Sequence, residues 1–290
     1  MSLVAESALK LALPKGHMQR GVVTLLEDAG IAVRLTERGY RPQVSLPNSV
    51  TKVLKPQNII EMLHVGTRDV GFAGADWVSE LDADVVELCD TGLDPVRIVA
   101  AAPEELVHDG RITKEHLVVA SEYERLARAW IARRGLQTTF VRSYGATEVF
   151  PPEDADCIVD NTATGATLEQ NGLAIVEELM RSSTRLFASR RALEIPGKRT
   201  AIEELVLVLR SVLDARKRVM LEVNVSAEAL HAVIAVLPCM RQPTISSLSG
   251  SSAFAVKAAV PRELLPRLIP ELKARGGTDI VVSRLMQIVP

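Results

Sequence analysis

Cysteine is scarce in this chain of 290 residues, and Cys89, Cys157 and Cys239 are odd in number, far apart and never in a Cys-x-x-Cys pair. This excludes a disulfide framework or a zinc knuckle and leaves three small buried hydrophobes. Aromatics are equally few, with five Phe, three Tyr and two Trp, too little stacking surface for a single-strand nucleic-acid binder. Neither sign of charge dominates: 34 Lys and Arg against 36 Asp and Glu give a net charge of -2. The broad basic surface of a protein held on nucleic acid by its phosphates is therefore missing. No run approaches the roughly 20 apolar residues that cross a bilayer, and the chain does not start with the basic-then-apolar order of a signal peptide. The expectation is a cytoplasmic protein with no membrane partner. The five histidines show neither His-Glu-x-x-His spacing nor a serine–histidine–aspartate order, which leaves metal hydrolysis and triad chemistry unsupported. Only His17 falls in a candidate site.

What the sequence does have is aliphatic side chains, with 47% hydrophobic residues against 24% charged. That is enough for real cores in about two domains, or three small ones. The first half alternates short apolar runs with amphipathic stretches. Ala8–Leu13 reads as a strand broken by Pro14-Lys15-Gly16, and a helix follows up to Gly30. Strands are expected at 31–35, 43–46, 69–73 and 84–88, with a helix over 56–64 that has Pro at its first turn. A second unit repeats the pattern: strands at 96–101, 117–120, 137–141 and 157–160, and a helix over 121–134 capped by Ser121 and stopped by Gly135. Two more strands are expected at 173–178 and 184–189. Such alternation predicts a mostly parallel sheet covered by helices, in two similar lobes around a cleft. Ligands of open α/β sheets sit at the carboxyl ends of the strands.

A helix over 200–218 with an apolar face leads to a different pattern. Strand 219–225, helix 227–237, strands 243–248 and 253–260, helix 262–275 and strand 279–284 follow. The order βαββαβ is that of a ferredoxin-like domain.

The densest chemical signal is Asp156-Cys157-Ile158-Val159-Asp160-Asn161-Thr162-Ala163-Thr164-Gly165-Ala166-Thr167-Leu168. An apolar strand delivers an acid, then come small hydroxyl residues with one glycine, then a helix. Backbone N–H groups around Thr164 to Thr167 can face a phosphate monoester, and small side chains let it approach. Asp160 can accept hydrogen bonds from ribose hydroxyls. By spacing alone, an ordinary threonine-capped turn fits as well. Two lysines have similar alternatives. Lys15, in its Pro-Lys-Gly turn, is either a solvated loop residue or a cation facing the cleft. Lys55 lies at a helix start, where a cation is unfavourable unless an anion is near.

The segment Asp160–Leu173 is similar to the signature of the ATP phosphoribosyltransferases, and its Thr-Gly-x-Thr core resembles a phosphoribosyl pyrophosphate loop. Leu11-Ala12-Leu13-Pro14-Lys15-Gly16, Asp69–Asp76, Gly145–Val149, Leu237-Pro238 and Gln242-Pro243-Thr244 resemble further segments of that family, in its order. The family pattern has an aliphatic residue where this chain has Asn161. The resemblance covers nearly the whole chain, including the C-terminal module of the long, histidine-regulated form.

It implies a two-lobed, periplasmic-binding-protein-like α/β catalytic core with a C-terminal ferredoxin-like regulatory domain. The first lobe would take residues 1–94 and 184–216, the second 95–183 and the regulatory domain 217–290. Adenine N1 of ATP would attack the anomeric carbon of phosphoribosyl pyrophosphate and release pyrophosphate. Lys15, Lys55 and Asp160 would be the catalytic residues. Gly16, Tyr123, Glu148, Thr162, Thr164, Gly165, Ala166, Thr167 and Leu168 would bind substrate, with Mg2+ as cofactor. Glu222, Thr244 and Gly277 would bind histidine as inhibitor, AMP being a second candidate, in a homo-oligomer between dimer and hexamer. Two other readings remain open: a two-lobed binding protein without catalysis, and a phosphoribosyltransferase acting on a free base.

Overall fold

Each apolar run of the first half ends at a residue that breaks it, and a helix follows. In the computed structural model, which describes residues 8–35 and 39–289, this gives β1 (Leu9–Pro14), α1 (Met18–Asp28), the short pair β2 (Val33–Arg34) and β3 (Gln43–Val44), β4 (Ser49–Leu54), α2 (Pro56–His64), β5 (Val70–Gly74) and α3 (Ala75–Leu81). There follow β6 (Val85–Pro103), the pair β7 (Val107–His108) and β8 (Arg111–Ile112), β9 (His116–Ser121), α4 (Glu124–Arg134), β10 (Gln137–Arg142), β11 (Cys157–Thr162), α5 (Ala166–Gln170), β12 (Leu173–Ser189), α6 (Arg190–Glu194) and α7 (Pro196–Arg216). The chain separates into two units: one takes in the residues up to Glu27 and Ile31–Glu203, the other Asp28–Gly30 and everything from Glu204.

The first unit is built on one eight-stranded sheet, in the order β10-β9-β11-β6-β12-β5-β1-β4. Two parallel ladders, β4-β1-β5 and β10-β9-β11, form its flanks. Between them run β6 and β12, antiparallel to each other and to the ladders they join. The sheet is mixed, with four parallel pairings and three antiparallel ones. One expectation is corrected: the four short strands expected at 84–88, 96–101, 173–178 and 184–189 are two long ones. The polar stretch around Asp90–Asp94 has the composition of a loop, but register shifts take up the mismatch and the pairing continues through it. There Thr91 Oγ1 donates to the Thr184 carbonyl at 2.5 Å and Thr184 Oγ1 to Asp94 Oδ2 at 2.8 Å. Because β6 and β12 belong to both flanks, the lobes share a core in which Ile59, Ile60 and Leu63 join Leu117, Val119 and Trp130.

A buried ion pair also sits in this unit. Lys198 Nζ lies 2.9 Å from both oxygens of Asp69, whose Oδ2 also accepts the Lys10 N–H at 2.8 Å. The long helix α7 begins at Pro196, earlier than the apolar pattern predicts, because proline is tolerated where no N–H partner is needed.

The second unit contains β13 (Arg218–Ser226), α8 (Leu230–Ile234), β14 (Thr244–Ser247), β15 (Ala253–Pro261), α9 (Leu265–Ala274) and β16 (Thr278–Arg284). The sheet order β14-β15-β13-β16, antiparallel throughout, is the ferredoxin-like arrangement. Alternation in β13 turns Val219, Leu221, Val223 and Val225 into a core with Val256, Val260, Leu268 and Leu272. Helix α8 is shorter than the expected 227–237, since residues 227–229 form a turn in which Ser226 Oγ accepts the Ala229 N–H. Among the described residues, no helix is long and apolar enough to cross a membrane.

Candidate active site

At the carboxyl end of the second ladder, β11 delivers Asp160, Asn161 and Thr162 into a turn that leads to α5. Thr162 Oγ1 accepts the Gly165 N–H at 3.0 Å and Thr164 Oγ1 the Ala166 N–H at 3.3 Å. The hydroxyls thus shape the loop before any ligand arrives. Gly165 has φ +93, left-handed backbone in which a side chain is strained even though a Cβ would meet nothing closer than 3.8 Å.

The loop forms one wall of a cavity of about 440 Å3. Asp160, Glu148, Thr162, Thr164, Thr167 and Leu168 all line it. So do Glu122, Asn161 and Thr147, which were not among the expected site residues, and His17, the histidine that the sequence places in a candidate site. Glu122 has no local signal, being one more acid after a strand. Thr147 and Glu148 arrive on a short 3-10 turn entered through Ala146 at φ +48.

The cavity is acidic. Burial pushes the Asp160 carboxyl up to about 6, against the Asn161 backbone N–H that holds its charged form, and Glu148 and Glu122 push it up further. Among the described residues no group of three or more His, Cys, Asp or Glu is assembled to hold a metal ion.

Lys15, Gly16, Lys55 and Tyr123 are not in the cavity wall. Lys15 follows β1 and Lys55 follows β4, and Pro14 pairs with Leu54 across the ladder. The two lysines therefore emerge side by side, with the Lys15 N–H donating to the Leu54 carbonyl at 2.8 Å. Lys15 Nζ lies 5.2 Å from the centre of the Tyr40 ring. Lys55 occupies the N-cap of α2 without capping it.

Tyr123, which the resemblance places among the substrate-binding residues, is only 2% exposed. Helix α4 starts at Glu124, not Ser121. Ser121 ends β9, and its hydroxyl donates to the Val159 carbonyl and accepts the Tyr123 N–H, so the chain turns inward before the helix begins. The Tyr123 ring stacks on Trp77 at 4.8 Å. Gly71 and Gly74 serve close packing: a Cβ on Gly71 would strike Ile59, and one on Gly74 the Asp76 carboxylate.

A family model for ATP phosphoribosyltransferase matches residues 55–211, and one for the HisG C-terminal domain matches residues 215–287. The ATP phosphoribosyltransferase of Chlorobium luteolum is 35% identical over 281 residues, covering 95% of this chain and 96% of that one. That of Pelotomaculum thermopropionicum is 34% identical, covering 97% and 99%.

The chain belongs to the ATP phosphoribosyltransferase family.

A solved structure, the ATP phosphoribosyl transferase (HisG:HisZ) complex from Thermotoga maritima, superposes with a TM-score of 0.63 at 24% identity, over 71% of this chain and 98% of that one; this likeness is one of fold. The reaction of an ATP phosphoribosyltransferase, the first step of histidine biosynthesis, joins the 5-phosphoribosyl group of phosphoribosyl pyrophosphate to ATP. In the C-terminal domain of this family member, Glu222 and Thr244 lie in one cross-strand row, each paired with Lys257 of β15. Lys257 Nζ forms an ion pair with Glu222 Oε1 at 2.7 Å. Gly277 lies just before β16, where a Cβ would press on the Leu272 carbonyl and Val223.

Proposed function

We propose that phosphoribosyl pyrophosphate lies in the 440 Å3 cavity, with its 5′-phosphate on Thr164–Thr167 and its ribose hydroxyls on Asp160. The observation that carries this reading is the convergence of Asp160 and the Gly165 loop on one cavity, the acid and the hydroxyl-bonded turn arriving from the same strand. In the reaction, the lone pair of adenine N1 forms a bond to the anomeric carbon. The bond from that carbon to the pyrophosphate oxygen breaks, and its electron pair leaves with pyrophosphate. Adenine N1 carries no proton, so Asp160 serves as an acceptor for hydroxyls and not as a base. The main tasks of the chain are alignment and stabilisation of developing negative charge. Lys15 and Lys55, adjacent at the carboxyl ends of β1 and β4, are suited to phosphate oxygens.

Magnesium fits as part of the substrate. A cavity lined by Glu122, Glu148 and Asp160 repels a bare polyanion, and Mg2+ is commonly carried on substrate phosphates with few protein ligands. The pyrophosphate would then enter as its magnesium complex, with no dedicated metal cage among the described residues. For the second unit we infer a regulatory role, with histidine near Glu222, Thr244 and Gly277 in a homo-oligomer, and AMP as a competing inhibitor in the first. Opening the Glu222–Lys257 pair would free a carboxylate for the ammonium or imidazolium of histidine. Glu222→Ala should weaken histidine inhibition at least tenfold with KM for both substrates within twofold; unchanged inhibition places the effector elsewhere.

The decisive assay combines the protein with ATP, phosphoribosyl pyrophosphate and Mg2+ and follows phosphoribosyl-ATP absorbance and pyrophosphate release. Both should appear together. Product with a free base but not with ATP would overturn the choice of acceptor.

A further inference from the structure

A chain of hydrogen bonds runs from the interior of the first unit to the acid in its cavity. Ser182 Oγ donates to Asp76 Oδ1 at 2.5 Å and accepts the Asp76 N–H at 3.0 Å. Asp76, 2% exposed, accepts the Tyr123 hydroxyl on Oδ2 at 2.8 Å. Because a carboxylate only accepts, Tyr123 must donate there, and its oxygen is left to accept Asn161 Nδ2 at 3.2 Å. The second hydrogen of that amide reaches Asp160 Oδ1 at 3.2 Å, and the Asn161 backbone N–H reaches the same oxygen at 2.7 Å. One side-chain amide thus joins a buried tyrosine to the cavity acid, and the donor directions are fixed along the whole line.

We propose that Asn161 is a positioning residue of the transferase reaction: backed by Tyr123 and Asp76, it holds the carboxylate of Asp160 in the orientation that ribose hydroxyls require. It also ties that orientation to the packing of α3 of one lobe against the start of α4 of the other. The inference rests on the reading that Asp160 meets the ribose. Asn161 itself lines the cavity, while Tyr123 acts from behind it. The charged and titratable groups around Asp160 are Glu122, Glu148 and His17 in the cavity wall and Tyr123 behind. The Thr147 hydroxyl and the Asn161 backbone N–H favour the charged carboxylate, and the Asn161 side-chain amide, 3.2 Å from Oδ1, is a further donor to it. Removing that side-chain donor leaves the other two in place and should move Asp160 modestly to a higher pKa as well as free its rotamer.

The test uses the full-length enzyme with Asn161→Leu, Tyr123→Phe, the double variant and Asp160→Asn, each with a melting curve. Asn161→Leu should raise KM for phosphoribosyl pyrophosphate about tenfold, leave KM for ATP within twofold, and move the acid limb of kcat/KM upward by about half a pH unit. Tyr123→Phe, which keeps the ring stacked on Trp77, should shift both in the same direction by less. The double variant should be no worse than Asn161→Leu, since the two groups act in series. A folded Asn161→Leu enzyme with an unmoved acid limb and unchanged KM overturns the proposal, as does a loss confined to kcat. If Asp160→Asn raises KM for phosphoribosyl pyrophosphate and Asn161→Leu does not, the positioning role alone falls. If Asp160→Asn has no effect either, the reading of the cavity falls with it.

Discussion

The two parallel ladders of the first unit have the same local architecture and end in opposite chemistry. Ladder β4-β1-β5 presents Lys15 and Lys55 beyond its carboxyl ends, while β10-β9-β11 presents Glu122, Asp160 and a run of hydroxyls. Strand direction and helix cover do not distinguish them; the residues immediately after each strand do. In an open α/β sheet this is where ligands meet the chain, so a difference of a few loop residues divides the labour. Cations on one side suit phosphate oxygens. Hydroxyls and a carboxylate on the other suit a sugar and its monoester. Fold alone would not assign either.

The contrast is broken most severely at the glycine of the hydroxyl loop. Gly165→Val imposes a β-branched side chain on backbone at φ +93, and it distorts the turn on which the 5′-phosphate is proposed to lie. Catalytic efficiency toward phosphoribosyl pyrophosphate should fall on the order of 10² to 10³, with KM for ATP changed far less. Steady-state kinetics on a variant with a normal melting curve checks this, and retention of wild-type efficiency would remove the loop from the site. On the opposite ladder, Lys15→Ala and Lys55→Ala should each lower kcat/KM by roughly tenfold or more. A loss of equal size with Lys→Arg would show that charge alone is insufficient and that the compact ammonium is required.

Asp160 sharpens the comparison through stability as well as rate. Its carboxyl titrates at about 6 in the folded chain against an ordinary 3.8. The folded state therefore binds this proton more tightly than the unfolded one. The stability linked to it is fully present below pH 4 and is lost as the pH rises through 6. Asp160→Asn should accordingly be more stable than the parent at pH 7.5, by on the order of 1 kcal/mol after allowance for partial exposure, with the gap closing toward pH 4. The same variant should bind phosphoribosyl pyrophosphate more weakly. Urea denaturation at the two pH values measures the first effect, and a variant less stable at both would contradict a carboxylate held at a cost.

Much of this contrast was legible in the sequence, because both ladders announce their ends locally. Pro-Lys-Gly after an apolar strand, Lys before Pro56 and the Asp160–Thr167 run each combine a strand with its breaker, and those signals need no tertiary information. The ferredoxin-like order was equally readable from alternation. What failed depended on distant partners. Asp90–Asp94 reads as a loop until Thr184 and the rest of β12 are beside it. Tyr123, expected among the substrate-binding residues, has its hydroxyl taken up by Asp76, 47 residues away. Glu122 enters the cavity through the packing of the lobes, with no pattern of its own.

The smallest expected effect lies where the ladders are joined. Helix α4 of the second lobe has Tyr123 at its N-cap with no side-chain cap bond. The cap comes instead from Glu80 on α3 of the first lobe, whose two carboxylate oxygens each accept an amide, from Arg125 and Leu126, at 3.0 Å. A carboxylate there satisfies two otherwise orphaned donors and meets the positive end of the helix. Glu80→Gln keeps one acceptor but turns an NH2 group toward the other N–H, replacing an attraction with a donor–donor contact. The cost should be about 1 kcal/mol, a fall of roughly 2–4 °C in Tm for a unit of this size. Glu80 does not line the cavity, so KM for both substrates should stay within twofold. A Tm equal to the parent's would mean that the interlobe cap adds nothing to the core the lobes already share. An unchanged Tm with a raised KM would instead place Glu80 among the residues that set the cleft.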